Sequence, residues 1–446
     1  MSAPDVTSDD TGAHADRSQQ NPAATAGRHM PTVEPQGGDA RGAETTQDVQ
    51  SATRPPVEGV PGHVARHPPA QTHQSARSGK ADLASPALER RQQRAERYAA
   101  LDLGTNNCRL LIAEPRRRGF RVIDAFSRII RLGEGLSRTG RLSDGAIERA
   151  VEALDICRAK LEDKQVWRMR LIATEACRSA ENGEEFLQRV TAETGLDLTI
   201  VDRKTEARLA VAGCATLVEP DADGVILFDI GGGSSEIVWL DLRRRQNSRP
   251  SSLSRCIRSW ASLPVGVVSL SERHGGVEVT PPVFEAMVAD VDAMLDDMAE
   301  GAALAKSIAN GRVHMLGTSG TVTTLAGVYL GLERYDRRRV DGAWMTDAQV
   351  DAMIREICAM SYPERVANPC IGADRADLVL AGCAILEALR RRWPCDRLRV
   401  ADRGLREGML VEMMLEDKVW RRRGRNQRRR YRQAPSNRRD DHHGEG

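Results

Sequence analysis

Short apolar runs separated by glycine-led turns alternate with longer stretches of helical period along this chain, and the alternation starts only near residue 98. Residues 98–103, 109–113 and 120–125 read as three short strands in succession, a β-meander. Ser143 or Asp144 can then cap a helix whose apolar stripe is Ile147, Val151, Leu154 and Leu161. Residues 169–173 are a buried strand. Phe186, Leu187 and Val190 mark one face of the next helix, residues 196–201 another strand, and residues 204–216 a helix with Glu206 in its first turn.

The second half repeats this plan. Strands are predicted at 225–230, 236–240 and 257–265, followed by a helix at 281–298 whose stripe is Phe284, Met287, Val288, Val291 and Leu295. A strand at 313–316 runs into a glycine turn and a helix at 322–330. Helices at 346–360 and 376–391, a strand at 398–400 and a helix at 405–415 complete the pattern. The prediction is an α/β protein built from a duplicated β-β-β-α-β-α unit, two lobes with a cleft between them.

The repeat is legible residue by residue. Residues 101–110 (LDLGTNNCRL) align without a gap on 228–237 (FDIGGGSSEI). Each is an apolar strand, an Asp, a Gly-led turn and a second apolar strand. Glycine lets a backbone approach a phosphate closely, and turn N–H groups can point at it. The carboxylates of Asp102 and Asp229 stand where a hydrated Mg²⁺ beside that phosphate would sit. A third glycine turn, residues 317–321 (GTSGT), precedes a helix and so offers another anion site. The close-approach positions are Gly104, Gly231, Gly232, Gly233, Gly317 and Gly320. Arg109 falls opposite Glu236 in the repeat, so one lobe offers a cation where the other offers an acid. A guanidinium there can grip phosphate oxygens.

Composition divides the 446 residues into parts. Residues 1–95 are rich in Pro, Gly, Ala, Ser, Thr and charge, without an aromatic residue, and are expected to be a disordered extension. They carry no apolar core of a secretory signal, and no run approaches the ~18–20 apolar residues of a membrane span. A soluble, cytoplasmic protein is expected. The lobes are placed at 96–215 and 216–417, and an arginine-rich tail at 418–446 is expected to be disordered. Net charge is only +2, but residues 243–258 form a basic, Ser-rich insertion. Such runs are solvated or meet polyanions non-specifically. Nine scattered cysteines without a C-x-x-C pair argue against a disulfide framework or zinc, and read as small core residues.

Seven motifs occur in a familiar order: residues 102–110, 173–182 (ATEACRSAEN), 205–209 (TEARL), 228–236, 263–270 (LPVGVVSL), 317–321 and 404–408 (GLREG). In these the chain resembles the Ppx/GppA phosphatases, the exopolyphosphatases and guanosine pentaphosphate phosphohydrolases. The resemblance covers the whole folded part and implies the actin–sugar kinase–Hsp70 fold, made of two ribonuclease H-like units. Departures exist. The acidic segment that usually precedes Glu206 reads Asp202-Arg203-Lys204-Thr205 here, and nothing matches the family's His/Asp-rich C-terminal helical domain.

The resemblance implies Glu206 as general base, and Asp102, Asp229 and Glu236 as ligands of Mg²⁺, with Mn²⁺ as the alternative metal. The glycine turns themselves read as the substrate contacts: Gly104, Thr105 and Asn106; Gly231, Gly232, Gly233 and Ser234; Gly317, Thr318, Ser319 and Gly320. Arg109, Arg178 and Arg375 are the candidate phosphate-binding cations. Plainer roles stand beside these. Glu206 could merely favour a helix start, each Asp could cap its turn, and Arg178 could equally be a structural ion pair.

The implied activity is metal-dependent removal of the terminal phosphate of inorganic polyphosphate, a phosphoanhydride hydrolysis. The rivals are hydrolysis of guanosine pentaphosphate, an ATP-dependent kinase or chaperone-like ATPase on the same fold, and a non-catalytic polyphosphate or alarmone sensor. No membrane and no specific nucleic acid is expected as a partner. A homodimer is left open.

Overall fold

The computed structural model describes residues 96–117, 119–245 and 250–420. The expectations for residues 1–95 and for the tail from 421 lie outside the described residues, as do residues 246–249 of the insertion; the first residues of the expected tail, 418–420, are ordered, with Val419 buried and Trp420 Nε1 donating to Arg116 O.

Two sheets carry the fold, and they share one strand order. In the first, β1 (Tyr98–Leu103) pairs antiparallel with β2 (Asn107–Pro115), and β2 with β3 (Phe120–Ile129). On its other side β1 pairs parallel with β4 (Arg168–Ala173), and β4 with β5 (Thr199–Ile200), giving β3-β2-β1-β4-β5. The second sheet repeats this with β6 (Gly224–Ile230), β7 (Ser235–Asp241), β8 (Ile257–Leu263), β9 (Val313–Thr318) and β11 (Arg397–Ala401). Its order is β8-β7-β6-β9-β11, with β10 (Trp344–Thr346) added antiparallel at the edge. The duplication read from the sequence is therefore a duplication of topology.

β1 and β6 are central strands, apolar and buried along both faces. In each, the Asp near the C-terminal end is the only residue that is not fully buried. Side chains alternate between faces. Ala99, Leu101 and Leu103 pack under the helices Asp144–Asp163 and Gly183–Thr194, whereas Tyr98 and Ala100 face the opposite side. Ser143 caps the first of these helices through its hydroxyl, as expected.

The opposite faces of the two sheets are bridged by one helix pair. From the helix Arg203–Cys214, Leu209 packs on the first sheet, while Ala207, Ala210, Val211 and Cys214 pack on the second. The last helix, Leu405–Glu416, was expected to complete the second lobe. Its Met409, Leu410, Met413 and Met414 instead bury against Tyr98, Ala100 and Leu111 of the first sheet. The pair crosses closely because a Cβ on Gly213 would run into Gly404 O, and one on Gly408 into Leu209 O. This crossing sets the acid of the first helix, Glu206, against the floor of the cleft.

Among the described residues six α-helices carry no sequence expectation: Leu136–Thr139, Glu175–Ser179, Val267–His274, Gly301–Asn310, Arg337–Val340 and Tyr362–Ala367. The described part of the basic insertion is not a solvated run. Leu253 and Cys256, in a 3₁₀ turn, are buried with the helix Arg203–Cys214. Arg243 bonds Asp241, and Arg258 pairs with Glu300 and lies 5.4 Å over the Trp239 ring. Eight of the nine cysteines are buried, and Cys358 is half-buried. No helix among the described residues is long and apolar enough to cross a membrane.

Candidate active site

The two acidic hairpins meet tip to tip. Their turns close with the same bond, Gly104 N–H to Asn107 O and Gly231 N–H to Ser234 O, each at 2.9 Å. The segment after the third strand of each sheet then ties the turn down. Ile130 N–H and Arg131 N–H donate to Asn106 O, and Gly133 N–H donates to Thr105 O. Val267 N–H and Val268 N–H donate to Gly231 O and Gly232 O at 2.9 and 2.8 Å. This gives residues 263–270, whose sequence carried no stated role, a structural one. With the turn carbonyls engaged behind, the backbone N–H groups of Thr105, Asn106, Gly232 and Gly233 have no acceptor among the described residues. They are available donors for an anion.

Glycine at 232 and 233 serves the contact between hairpins. A Cβ on Gly232 would sit 2.9 Å from Thr105 Cβ, and one on Gly233 2.8 Å from Thr105 Oγ1. Any side chain there would push the two tips apart.

Below the tips lies a cleft of ≈570 Å³. Asp102, Glu206, Asp229 and Glu236 all line it. The cross-strand register pairs Asp229 with Glu236, and Asp102 with Arg109, so Arg109 and Glu236 occupy the equivalent positions that the internal alignment gave them. Burial raises all four acids above their ordinary values, and neighbouring carboxylates add to this. Glu236 is pushed up to about 8, by burial and then by Glu206 and Asp229. Asp229 is pushed up to about 6, by burial and then by Asp102. Burial lifts Asp102, against the pull of Arg406 and Arg109. Glu206 rises to about 7 through burial, although Arg178 draws it down. Four carboxylates destabilised by one another and by lost solvation form a site that asks for a cation. Hard oxygen donors suit Mg²⁺ with phosphate oxygens and water as its other ligands. No three His, Cys, Asp or Glu residues among the described ones form a ready metal cage.

Glu236 Oε1 accepts from Ser234 Oγ at 2.8 Å and Ser262 Oγ at 2.9 Å, which fixes its orientation. Glu206 is only 3% exposed, in the first turn of a helix capped by Asp202. Thr205, which stands where the family has an acid, donates from its hydroxyl to Asp202 at 3.0 Å and so reinforces that cap. A solvated first-turn Glu would not line a cleft; this one does.

The third turn contributes through Thr318, Ser319 and Gly320, which line the cleft. Ser319 has φ +80° and ψ −170°, a region nearly reserved for glycine. Its side chain lies near Asp229 and draws that carboxyl down, against burial. Gly317, predicted as a close-approach position, is elsewhere. A Cβ there would lie 2.6 Å from both the Phe228 ring and Val322, so this glycine is needed for packing between β6 and the helix Gly320–Tyr329.

Two more predicted contacts are displaced. Asn106 does not line the main cleft; its turn directs it to a smaller cavity behind the tips, and its neighbour Asn107 faces the cleft instead. Arg178 does not line the cleft either. It donates to Glu206 Oε1 at 2.7 Å and pairs with Glu175, so its ion-pair role is the one the geometry places. The remaining candidates, Gly104, Thr105, Arg109, Gly231, Gly232, Gly233, Ser234, Thr318, Ser319, Gly320 and Arg375, all line it.

The cleft also holds residues for which no role was read. Glu175 is held by Arg203 Nη2 at 2.8 Å and Ser179 Oγ at 2.7 Å, and stays below the ordinary carboxylate range despite burial. Arg406 lies beside Asp102 and Arg109. Among the described residues, the side chains of Arg109, Arg375 and Arg406 make no hydrogen bond or ion pair, in contrast to Arg178, Arg203, Arg337 and Arg403. The signal for Arg406 was present in the GLREG motif, but only the fold brings it to Asp102.

Paired sheets of one strand order, each opening its central acidic hairpin into a common cleft, define the duplicated actin–sugar kinase–Hsp70-like architecture. The chain belongs to the Ppx/GppA phosphatase family, whose profile matches residues 111–417. It is thereby a phosphatase, a hydrolase by class. Among its relatives is "Exopolyphosphatase 2" of Mycobacterium tuberculosis, 26% identical over 330 residues that cover 71% of this chain and 98% of the relative. Another is the "Guanosine-5'-triphosphate,3'-diphosphate pyrophosphatase" of Aeromonas salmonicida, 26% identical over 318 residues, of which this chain covers 59%. The crystal structure of the Aquifex aeolicus family member is 30% identical, covers 72% of this chain and 98% of its own, and superposes with a TM-score of 0.58.

Proposed function

We propose that the protein is an exopolyphosphatase, hydrolysing the terminal phosphate of inorganic polyphosphate with the help of Mg²⁺ or Mn²⁺. The observation that carries this is the convergence of Glu206, Asp102, Asp229 and Glu236 on one cleft beside free backbone donors and unpaired guanidinium groups. Asp102, Asp229 and Glu236 are the residues that would hold the metal. When bound, the metal neutralises charge on the phosphate oxygens.

The rest is supplied by the chain itself. Glu206 takes a proton from a water whose oxygen forms the new bond to the terminal phosphorus. The bridging P–O bond breaks, and its electron pair leaves on the shortened chain. Arg109, Arg375 and Arg406 hold phosphate oxygens, and the N–H groups of the hairpin turns receive charge as it builds on the transferred phosphoryl. Polyphosphate is preferred to guanosine pentaphosphate because the exopolyphosphatase relative is matched over nearly its full length, and the guanosine-nucleotide relative over little more than half.

The test is orthophosphate release from long polyphosphate and from guanosine pentaphosphate, each with and without Mg²⁺ or Mn²⁺. Metal-dependent release, faster from the polymer, is the expected result. Faster release from the nucleotide would exchange the two substrates. Tight binding without release would make the protein a sensor.

A further inference from the structure

The segment between the helix Gly320–Tyr329 and β10 forms part of the cleft rim and carries four arginines within six residues: Arg334, Arg337, Arg338 and Arg339. Tyr335 and Arg337 line the cleft. Tyr335 Oη donates to Asp402 Oδ2 at 2.8 Å, and Arg337 Nη2 to Glu407 Oε1 at 2.8 Å, which fixes the segment to the second lobe. Asp336 accepts from Arg338 N–H and so spends its carboxylate on capping the short helical turn Arg337–Val340.

The other three guanidinium groups have no such engagement. Arg334, Arg338 and Arg339 are exposed, and their side chains have no acidic partner among the described residues. Exposed arginines elsewhere in the protein are commonly paired: Arg189 with Glu193, Arg312 with Asp223, Arg355 with Asp351, Arg391 with Glu285. The basic insertion, which looked the better polyanion surface in sequence, has Arg243 and Arg258 in ion pairs.

The position of the three matters as much as their charge. A second cavity, ≈440 Å³, lies beyond the cleft, and Arg337 and Arg403 line both. Arg338 continues the wall of the second. The acids there are already satisfied: Asp341 by Arg403 and Glu407 by Arg337. Arg337 and Arg403 are thus neutralised walls shared by the two cavities, and the uncompensated charge begins outside them, at Arg338.

We infer that Arg334, Arg338 and Arg339 form an outer track that holds the distal part of a long polyphosphate chain while its end occupies the cleft. The inference rests on the proposed polyphosphate reading and adds chain-length selectivity to it. A short substrate ends before it reaches the track. A long one gains contacts that release counterions, as with single-stranded nucleic acid.

The experiment uses the full chain with Arg334→Ala, Arg338→Ala and Arg339→Ala combined. Binding of long-chain polyphosphate and of tripolyphosphate is titrated with Mg²⁺ across salt concentrations, separately from orthophosphate release. Loss of three contacts should lower the salt slope for the long chain by about 2, so that between about 50 and 200 mM salt the unsubstituted protein loses roughly tenfold more affinity than the variant. Tripolyphosphate binding should change far less, which also reports that the variant is folded. Equal loss on both substrates, or no loss on either, overturns the track. Equal loss of single-stranded DNA binding of matched charge would show a general polyanion surface and overturn the assignment to polyphosphate. If the length-selective loss appears while the unsubstituted protein releases no orthophosphate, the track stands and the hydrolase reading falls.

Discussion

Arg178 donates from Nη1 to Glu206 Oε1 at 2.7 Å, from outside the cleft that Glu206 lines. The arrangement keeps one carboxylate oxygen engaged with a fixed cation while burial holds the group near neutrality. If Glu206 takes the proton from water, Glu206→Gln should reduce kcat by roughly 10²–10⁴ with the fold retained, which circular dichroism and steady-state kinetics would check. Undiminished turnover would remove Glu206 from the chemistry.

Arg178 then acts by positioning. Glu206 sits at about 7 because burial outweighs the pull of Arg178. Activity should fall as pH drops through that value, since the base must be ionised. Arg178→Gln removes the opposing charge, so the acidic limb should move to higher pH. If Arg178 bound substrate instead, the variant would raise KM and leave the limb in place.

The same shift has a consequence for stability in metal-free protein. Glu206 is raised in the folded state from 4.5 to about 7, so folding binds a proton in that interval. The stability this confers is complete below the unfolded value and is lost as pH rises through the folded one, on the order of 3 kcal/mol. Glu206→Gln is neutral throughout, and its denaturation midpoint should fall less between those two pH values than that of the unsubstituted protein.

Ser319 holds a backbone conformation that costs of order 1–3 kcal/mol for a residue with a Cβ. Ser319→Gly should raise thermal stability by about 1 kcal/mol and lower activity, because the hydroxyl that draws Asp229 toward its ionised form is lost. A variant both more stable and fully active would show the strain to be incidental.

Gly266 is outside the cleft lining, and a Cβ there would collide with the Gly232 backbone. Gly266→Ala should destabilise by about 1–3 kcal/mol and also impair activity by displacing the second acidic turn. Differential scanning calorimetry with kinetics separates the two effects.

Arg406 carries no protein partner in the cleft, and Arg406→Ala should raise KM for the phosphate substrate by roughly 10-fold or more, in line with a lost charged hydrogen bond. Effects confined to stability would return it to a structural role.

The duplicated strand order, the two acidic turns and the equivalence of Arg109 with Glu236 were all legible in the sequence, because each depends on short-range pattern: short apolar runs, a glycine where the chain reverses, and fixed register across a short hairpin. What sequence left open was direction and company. Gly317 and Gly320 occupy one motif, yet the first fills a packing gap against Phe228 and the second faces the cleft. Arg178 and Arg406 look alike in a string, but 178 is consumed by Glu206 and Glu175 while 406 stays free beside Asp102. Arg243 and Arg258 of the insertion are paired, whereas Arg334, Arg338 and Arg339 have no acidic partner among the described residues. Which side chain is buried, which is neutralised and which confronts the other lobe depends on contacts between residues hundreds of positions apart. Those contacts exist only once the helices Arg203–Cys214 and Leu405–Glu416 lock the two sheets together.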